Sequence, residues 1–77
     1  MRTLPNRDEY ELTDKGWMHT PTGYSFTRHP GSFESGNARE GKLGSVLDDG
    51  RDYRPHEVTE MGWKLWRDYI AENKLKP

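Results

Sequence analysis

A chain without cysteine can do covalent or acid–base chemistry only through histidine, carboxylate, amine and hydroxyl groups, and this one holds His19, His29 and His56 with 13 acidic residues. No two of the histidines stand four apart, the spacing that places two ligands on one helix face, and no thiolate completes a metal-binding set. The lack of Cys also removes thiolate catalysis, iron–sulfur clusters and Cys-type zinc centres. Carboxylates gather at Asp48, Asp49, Asp52 and Glu57, where a solvated turn explains them better than a general acid–base pair with separated pKa values. The run DDGRDYRPHE lacks the alternating oxygen ligands and closing Glu of a calcium loop. Gly36 to Lys42 (GNAREGK) matches the G-x-x-x-x-G-K part of a phosphate-binding loop. Its next residue is Leu43, where a Ser or Thr hydroxyl would bind Mg²⁺, and a strand is expected to follow rather than a helix. No catalytic residue, metal site or cofactor is expected.

Recognition is the chemistry that remains. Trp, Tyr and Arg dominate binding hot spots, and the chain has three Trp and four Tyr. Trp17 and His19 are expected on the solvent face of a sheet, Trp63 at the edge of a helix stripe, and Arg67 one turn beyond it, which makes these four the candidate partner-binding residues. Arg39, Lys42, Arg51 and Arg54 are candidate phosphate contacts for a nucleic acid. A formal charge of -1 and a pI near 6.3 are far from the basic footprint of such domains, so a protein partner is the leading expectation and nucleic acid the alternative. The stretch Leu47 to Val58 (LDDGRDYRPHEV) resembles the wing and following helix of MerR-like and excisionase-like winged-helix proteins, which implies nucleic-acid contacts from a wing-like hairpin at residues 47–54. The resemblance covers twelve residues, without the preceding helix-turn-helix of that family.

Elements must position these groups. Glu9–Thr13, Trp17–Thr20 and Tyr24–Arg28 read as a meander joined by the three-residue turns Asp14-Lys15-Gly16 and Pro21-Thr22-Gly23, each with Gly third. That register pairs Leu12 with Met18, and Met18 with Phe26. It puts Tyr10, Leu12, Met18, Tyr24 and Phe26 in the core and leaves Trp17 and His19 outside. Residues His29 to Lys42 read as a long glycine-containing surface loop, most mobile over Ser32–Gly41. Asp49-Gly50 predicts a second hairpin between Leu43–Asp48 and Arg51–Arg54. Pro55 opens a helix whose apolar positions Val58, Met61, Gly62, Leu65, Trp66, Tyr69 and Ile70 recur at steps of three and four. Gly62 lies on that stripe, which predicts close approach of the helix to the sheet.

Length and composition bound the whole. The strongest core formers, Leu, Val, Ile and Phe, number 11 of 77, a level at which disorder becomes a concern, but the near-zero net charge removes the usual self-repulsion. An aromatic-rich core is the expected solution. Residues 1–8 read as a polar N-terminal arm and 9–77 as one small α+β domain: an antiparallel meander plus a second hairpin, packed on one face by a C-terminal helix. No apolar run suggests a signal peptide or a membrane span, and cytoplasm is the expected compartment. The functional expectation is a small non-enzymatic adaptor, accessory subunit or inhibitor of a larger protein.

Overall fold

The computed structural model describes residues 2–76 and shows an α+β fold. Strands β1 (Arg2–Thr3), β2 (Tyr10–Thr13), β3 (Gly16–His19), β4 (Tyr24–Arg28), β5 (Gly36–Arg39) and β6 (Asp52–Tyr53) precede a helix, α1 (Pro55–Glu72); a 3-10 turn spans Arg7–Glu9. Strands β2-β3-β4-β5 form a four-stranded antiparallel sheet, while β1 and β6 pair in parallel as a separate ribbon. Helix α1 packs across one face of the large sheet. Pro55 occupies its first turn and Arg54, at the N-cap, makes no side-chain capping bond, as the sequence implied. Among the described residues, no helix is long and apolar enough to cross a membrane.

The meander forms, but its middle strand is turned over. Leu12 pairs with Trp17 rather than Met18, and Trp17 with Phe26, so the connections have two residues (Asp14-Lys15) and four (Thr20 to Gly23) instead of three and three. Both schemes place six residues between strand positions. Tyr10, Leu12, Tyr24 and Phe26 therefore keep the inner face, and only β3 exchanges sides. Trp17 is 2 % exposed and His19 fully buried, whereas Met18 faces the open side of the sheet, half-buried. The expected exposure of Trp17 and His19 is thus overturned. The gain is area, since an indole buries far more apolar surface than a thioether. Gly16 makes the exchange feasible: its φ is +153°, and a Cβ there would lie 1.8 Å from the Phe26 carbonyl oxygen.

Helix α1 meets this face through Val58, Gly62 and Trp66, all buried, with Met61, Trp63, Leu65 and Tyr69 half-buried beside them. Gly62 is where the helix touches the sheet, because a Cβ there would come within 2.3 Å of the Trp17 ring. Around that contact Trp17, Phe26, Trp63, Trp66 and Phe33 stack ring on ring at centroid distances of 4.5–6.0 Å. The Trp66 indole N–H donates to the Thr13 carbonyl at 2.9 Å.

Two further expectations change. Residues read as a long mobile loop contain β5, which pairs with β4 from Ser25↔Arg39 to Arg28↔Gly36. The second hairpin, and with it the wing, is present only as its turn: the Leu47 amide bonds the Arg51 carbonyl and the Gly50 amide the Leu47 carbonyl, both at 2.8 Å. Asp52–Tyr53 then pairs with Arg2–Thr3 of the N-terminal arm instead of with residues 43–48.

Candidate functional site

At one end of the sheet, three segments distant in sequence meet on a single carboxylate. The 3-10 turn presents Glu9 because Asn6 and Glu9 form a capping box, Asn6 Oδ1 accepting from the Asp8 amide (3.0 Å) and Glu9 Oε1 from the Asn6 amide (2.8 Å). Strand β3 brings His19, whose Nε2 lies 3.1 Å from Glu9 Oε1. Strand β6 brings Tyr53, 1 % exposed, whose hydroxyl donates to Glu9 Oε2 at 2.5 Å. Arg51 closes the outer side, donating to the Tyr53 hydroxyl (3.2 Å) and to Asp49 Oδ2 (2.7 Å), with Nη1 3.7 Å from Glu9 Oε2. On its inner side His19 Nδ1 is 2.8 Å from Thr22 Oγ1, which accepts from the Tyr24 amide at 3.3 Å.

The neighbours fix the imidazole tautomer. A carboxylate only accepts, so Nε2 carries the proton toward Glu9 and Nδ1 accepts from the Thr22 hydroxyl. Burial pushes the His19 pKa below its ordinary value and the nearby Arg51 adds to this, against the pull of Glu9. Burial alone would raise Glu9, but the bonds from Tyr53, Asn6 and His19 outweigh it and hold the carboxyl below its usual range. Tyr53 is raised by burial and by Glu9 beside it. Tyr10 is raised by burial, its hydroxyl donating to the Val58 carbonyl at 2.7 Å.

Hydroxyl, imidazole and carboxylate here stand in the order of a nucleophile, its base and the group that orients the base. The surroundings assign them to structure instead. Thr22 is 2 % exposed, and its oxygen is already occupied by His19 and Tyr24, so a substrate carbonyl has no approach to it. No group of three or more metal-ligating side chains is gathered among the described residues.

The outer side of α1 carries two open grooves. Glu60 and Lys64 form an exposed ridge with a shallow groove on each side, each of about 570 Å³. One groove has Met61 and Leu65 as its floor and Leu4, Pro5 and Arg7 of the arm as its far wall; Leu4 is 65 % exposed. The other runs between Glu34, Trp63 and Arg67. Trp63 is half-buried, and the Arg67 guanidinium lies 6.0 Å from its ring centroid. Of the residues singled out from sequence, Trp63 and Arg67 therefore share a surface, while Trp17 and His19 belong to the interior. Arg39 and Lys42 are exposed. Arg51 is held by Asp49 and Glu9, and Arg54 stands 4.0 Å from Asp52. Leu4-Pro5, the only apolar anchor the sequence offers in the arm, was not foreseen beside α1, nor was the Glu9–His19–Tyr53 junction. Comparison with protein-family models, curated proteins and solved structures finds no match to this chain.

Proposed function

We propose that this protein is a non-enzymatic module that docks on another protein through the outer side of α1, the partner placing an apolar side chain in each groove astride the Glu60–Lys64 ridge. The observation that carries the reading is Leu4: a domain short of apolar residues leaves this one in water, beside a groove floored by Met61 and Leu65. Trp63 with Arg67 supplies an aromatic and a guanidinium, the pair most often found at binding hot spots, on the opposite side of the ridge. Both charge signs line the surface, Arg7, Lys64 and Arg67 with Glu34 and Glu60, which suits a protein rather than a polyanion. Two of the four basic residues considered for nucleic acid have acidic partners of their own. A cysteine-free chain suits a reducing compartment such as the cytoplasm.

The test is site-specific cross-linking in the native host, with a photo-reactive leucine analogue at position 4 and, as control, at the equally exposed Val46. One protein captured from position 4, absent from position 46 and lost on Leu65→Asp or Arg67→Glu, supports docking on α1. Equal capture from both positions overturns it.

A further inference from the structure

We propose that the Glu9–His19–Tyr53 junction is an acid-released latch on the N-terminal arm, so that the arm wall of the Leu4 groove is in place at neutral pH and leaves when a second proton enters the imidazole. The inference rests on the docking reading for its purpose but not for its physics. Leu4, Pro5 and Arg7 form one wall of that groove, and the chain on either side is fastened at two places. Asp52 donates its amide to Thr3 Oγ1 at 3.0 Å. Glu9 accepts side-chain bonds from His19 and Tyr53 and, on its carbonyl, bonds from the Thr20 amide and hydroxyl at 2.8 and 3.0 Å. Every segment packed against the imidazole contributes to its state. The 3-10 turn that joins the arm to β2 brings the Glu9 carboxylate and β2 the Tyr10 ring (4.8 Å). β4 brings Tyr24, paired with His19, and the β6 segment brings Tyr53 (4.7 Å) with Arg51, itself held by Asp49.

Neutral imidazole meets both neighbours as they stand; imidazolium keeps and strengthens its Nε2 bond to Glu9 but is mismatched at Nδ1. Nδ1 accepts from Thr22 in the closed state; protonated, it would need Thr22 to turn its hydroxyl to the His19 carbonyl, 3.5 Å away, and would hold a cation in a fully buried position near Arg51. Release of the arm together with Glu9 withdraws the side chain that covers Nε2 and opens that edge of the ring to water, where the cation is stable. The two remaining histidines, His29 and His56, are exposed and play no part.

Amide exchange on the full chain reads the latch directly, because the Asp52 amide donates to Thr3 within the arm and the Thr20 amide to the Glu9 carbonyl where the arm joins β2, while Leu65 and Trp66 report α1. Protection at Thr20 and Asp52 is expected to fall about tenfold between about pH 7.5 and 5.5, with that of Leu65 and Trp66 unchanged, since each pH unit below the free-histidine pKa shifts the equilibrium tenfold. The fall should persist in His29→Ala/His56→Ala and vanish in His19→Gln. Should His19→Gln fail to fold, ¹⁵N shifts of the His19 ring in the wild type decide: its protonation and the loss of arm protection must share one midpoint. Protonation with the arm still protected, or loss of arm and helix protection together, overturns the latch. Failure of the docking reading would show instead as Leu4 cross-links that ignore Leu65→Asp, leaving the exchange result intact.

Discussion

The two ends of the core are built from opposite materials. Around Gly62 the contact is ring on ring, with Trp17, Phe26, Trp63, Trp66 and Phe33 supplying apolar area and, apart from Trp66, no side-chain hydrogen bond among the described residues to orient them. The Trp17 indole nitrogen is buried with no hydrogen-bond partner among the described residues. Around His19 the contact is hydrogen bond on hydrogen bond, five of them through two carboxylate oxygens, an imidazole and a tyrosine hydroxyl. Burial of area is non-directional and indifferent to pH, so the aromatic end supplies stability. A satisfied polar network adds little net energy but fixes which groups meet, so the polar end specifies where the arm lies and makes its position sensitive to protons.

Substitution at the aromatic end should do the most damage. Trp66→Ala removes the largest fully buried side chain together with its bond to Thr13, and about 3–5 kcal/mol of loss in urea unfolding is expected, enough to unfold a domain of this size. Gly62→Ala is a sharper test of the same contact. In an exposed helix it would stabilise by about 0.5–1 kcal/mol, but here the added carbon meets the Trp17 ring, and a net loss of about 1–3 kcal/mol is expected. A gain would mean that helix and sheet are not in contact there. Trp63, expected from sequence at the edge of the helix stripe, packs on Phe26, Trp17 and Trp66, so Trp63→Ala should lower stability as well as binding.

The helix side of the aromatic end was legible in the sequence; its Trp17 side and the polar end were not, for physical reasons. Pro55, the period of α1 and the placement of Gly62 on its stripe all act locally, so they identify the helix and its contact without knowledge of the rest. The faces of β2 and β4 were legible too, since a three-plus-three and a two-plus-four arrangement of turns leave them identical; only β3 was ambiguous. What decides it is the difference between burying Trp17 and burying Met18, a tertiary quantity. Taking Trp17 as interior would have carried His19, two residues on in the same strand, to the same face. Strand β5 carries no apolar alternation, because GNAR is an exposed edge whose pairing comes from β4. Glu9 and Tyr53 lie 10 and 44 residues from their partners His19 and Glu9, beyond the reach of any spacing argument.

At the polar end the expected effects are smaller and depend on pH. Tyr53→Phe deletes one hydroxyl, leaving Glu9 with an unmet lone pair and Arg51 Nη1 without one of its acceptors while the bond to Asp49 remains, and about 1–2 kcal/mol of loss is expected at neutral pH. The sign of the pH response follows from two depressed pKa values. Above its ordinary 6.5 His19 is neutral in both folded and unfolded chains, so its contribution is complete there; as pH falls below 6.5 the unfolded chain takes up a proton that the folded one refuses, and stability declines. The Glu9 contribution is complete above its ordinary 4.5 and is lost as pH falls through its lower folded value, which continues the decline. Urea midpoints measured at steps from about pH 8 to 4 should therefore fall from near 6.5 downward, and the upper part of that fall should be missing in His19→Gln. A midpoint flat across pH 6.5 would remove the distinction between the two ends.

The smallest expected effect on stability is also the most informative about use. Leu4 is bounded on one side by the groove and otherwise by solvent, so Leu4→Asp costs the fold almost nothing, within about 0.5 kcal/mol. The same change places a carboxylate where a partner's apolar side chain would lie, beside Glu57 and Glu60, and burying an unpaired charge there is expected to weaken capture by about 2 kcal/mol or more. The two measurements separate because nothing in the folded core depends on this side chain. A midpoint unchanged with capture lost places function on the surface that neither end of the core uses. Loss of stability would instead make Leu4 a packing residue of the arm, moving it into the territory of the latch.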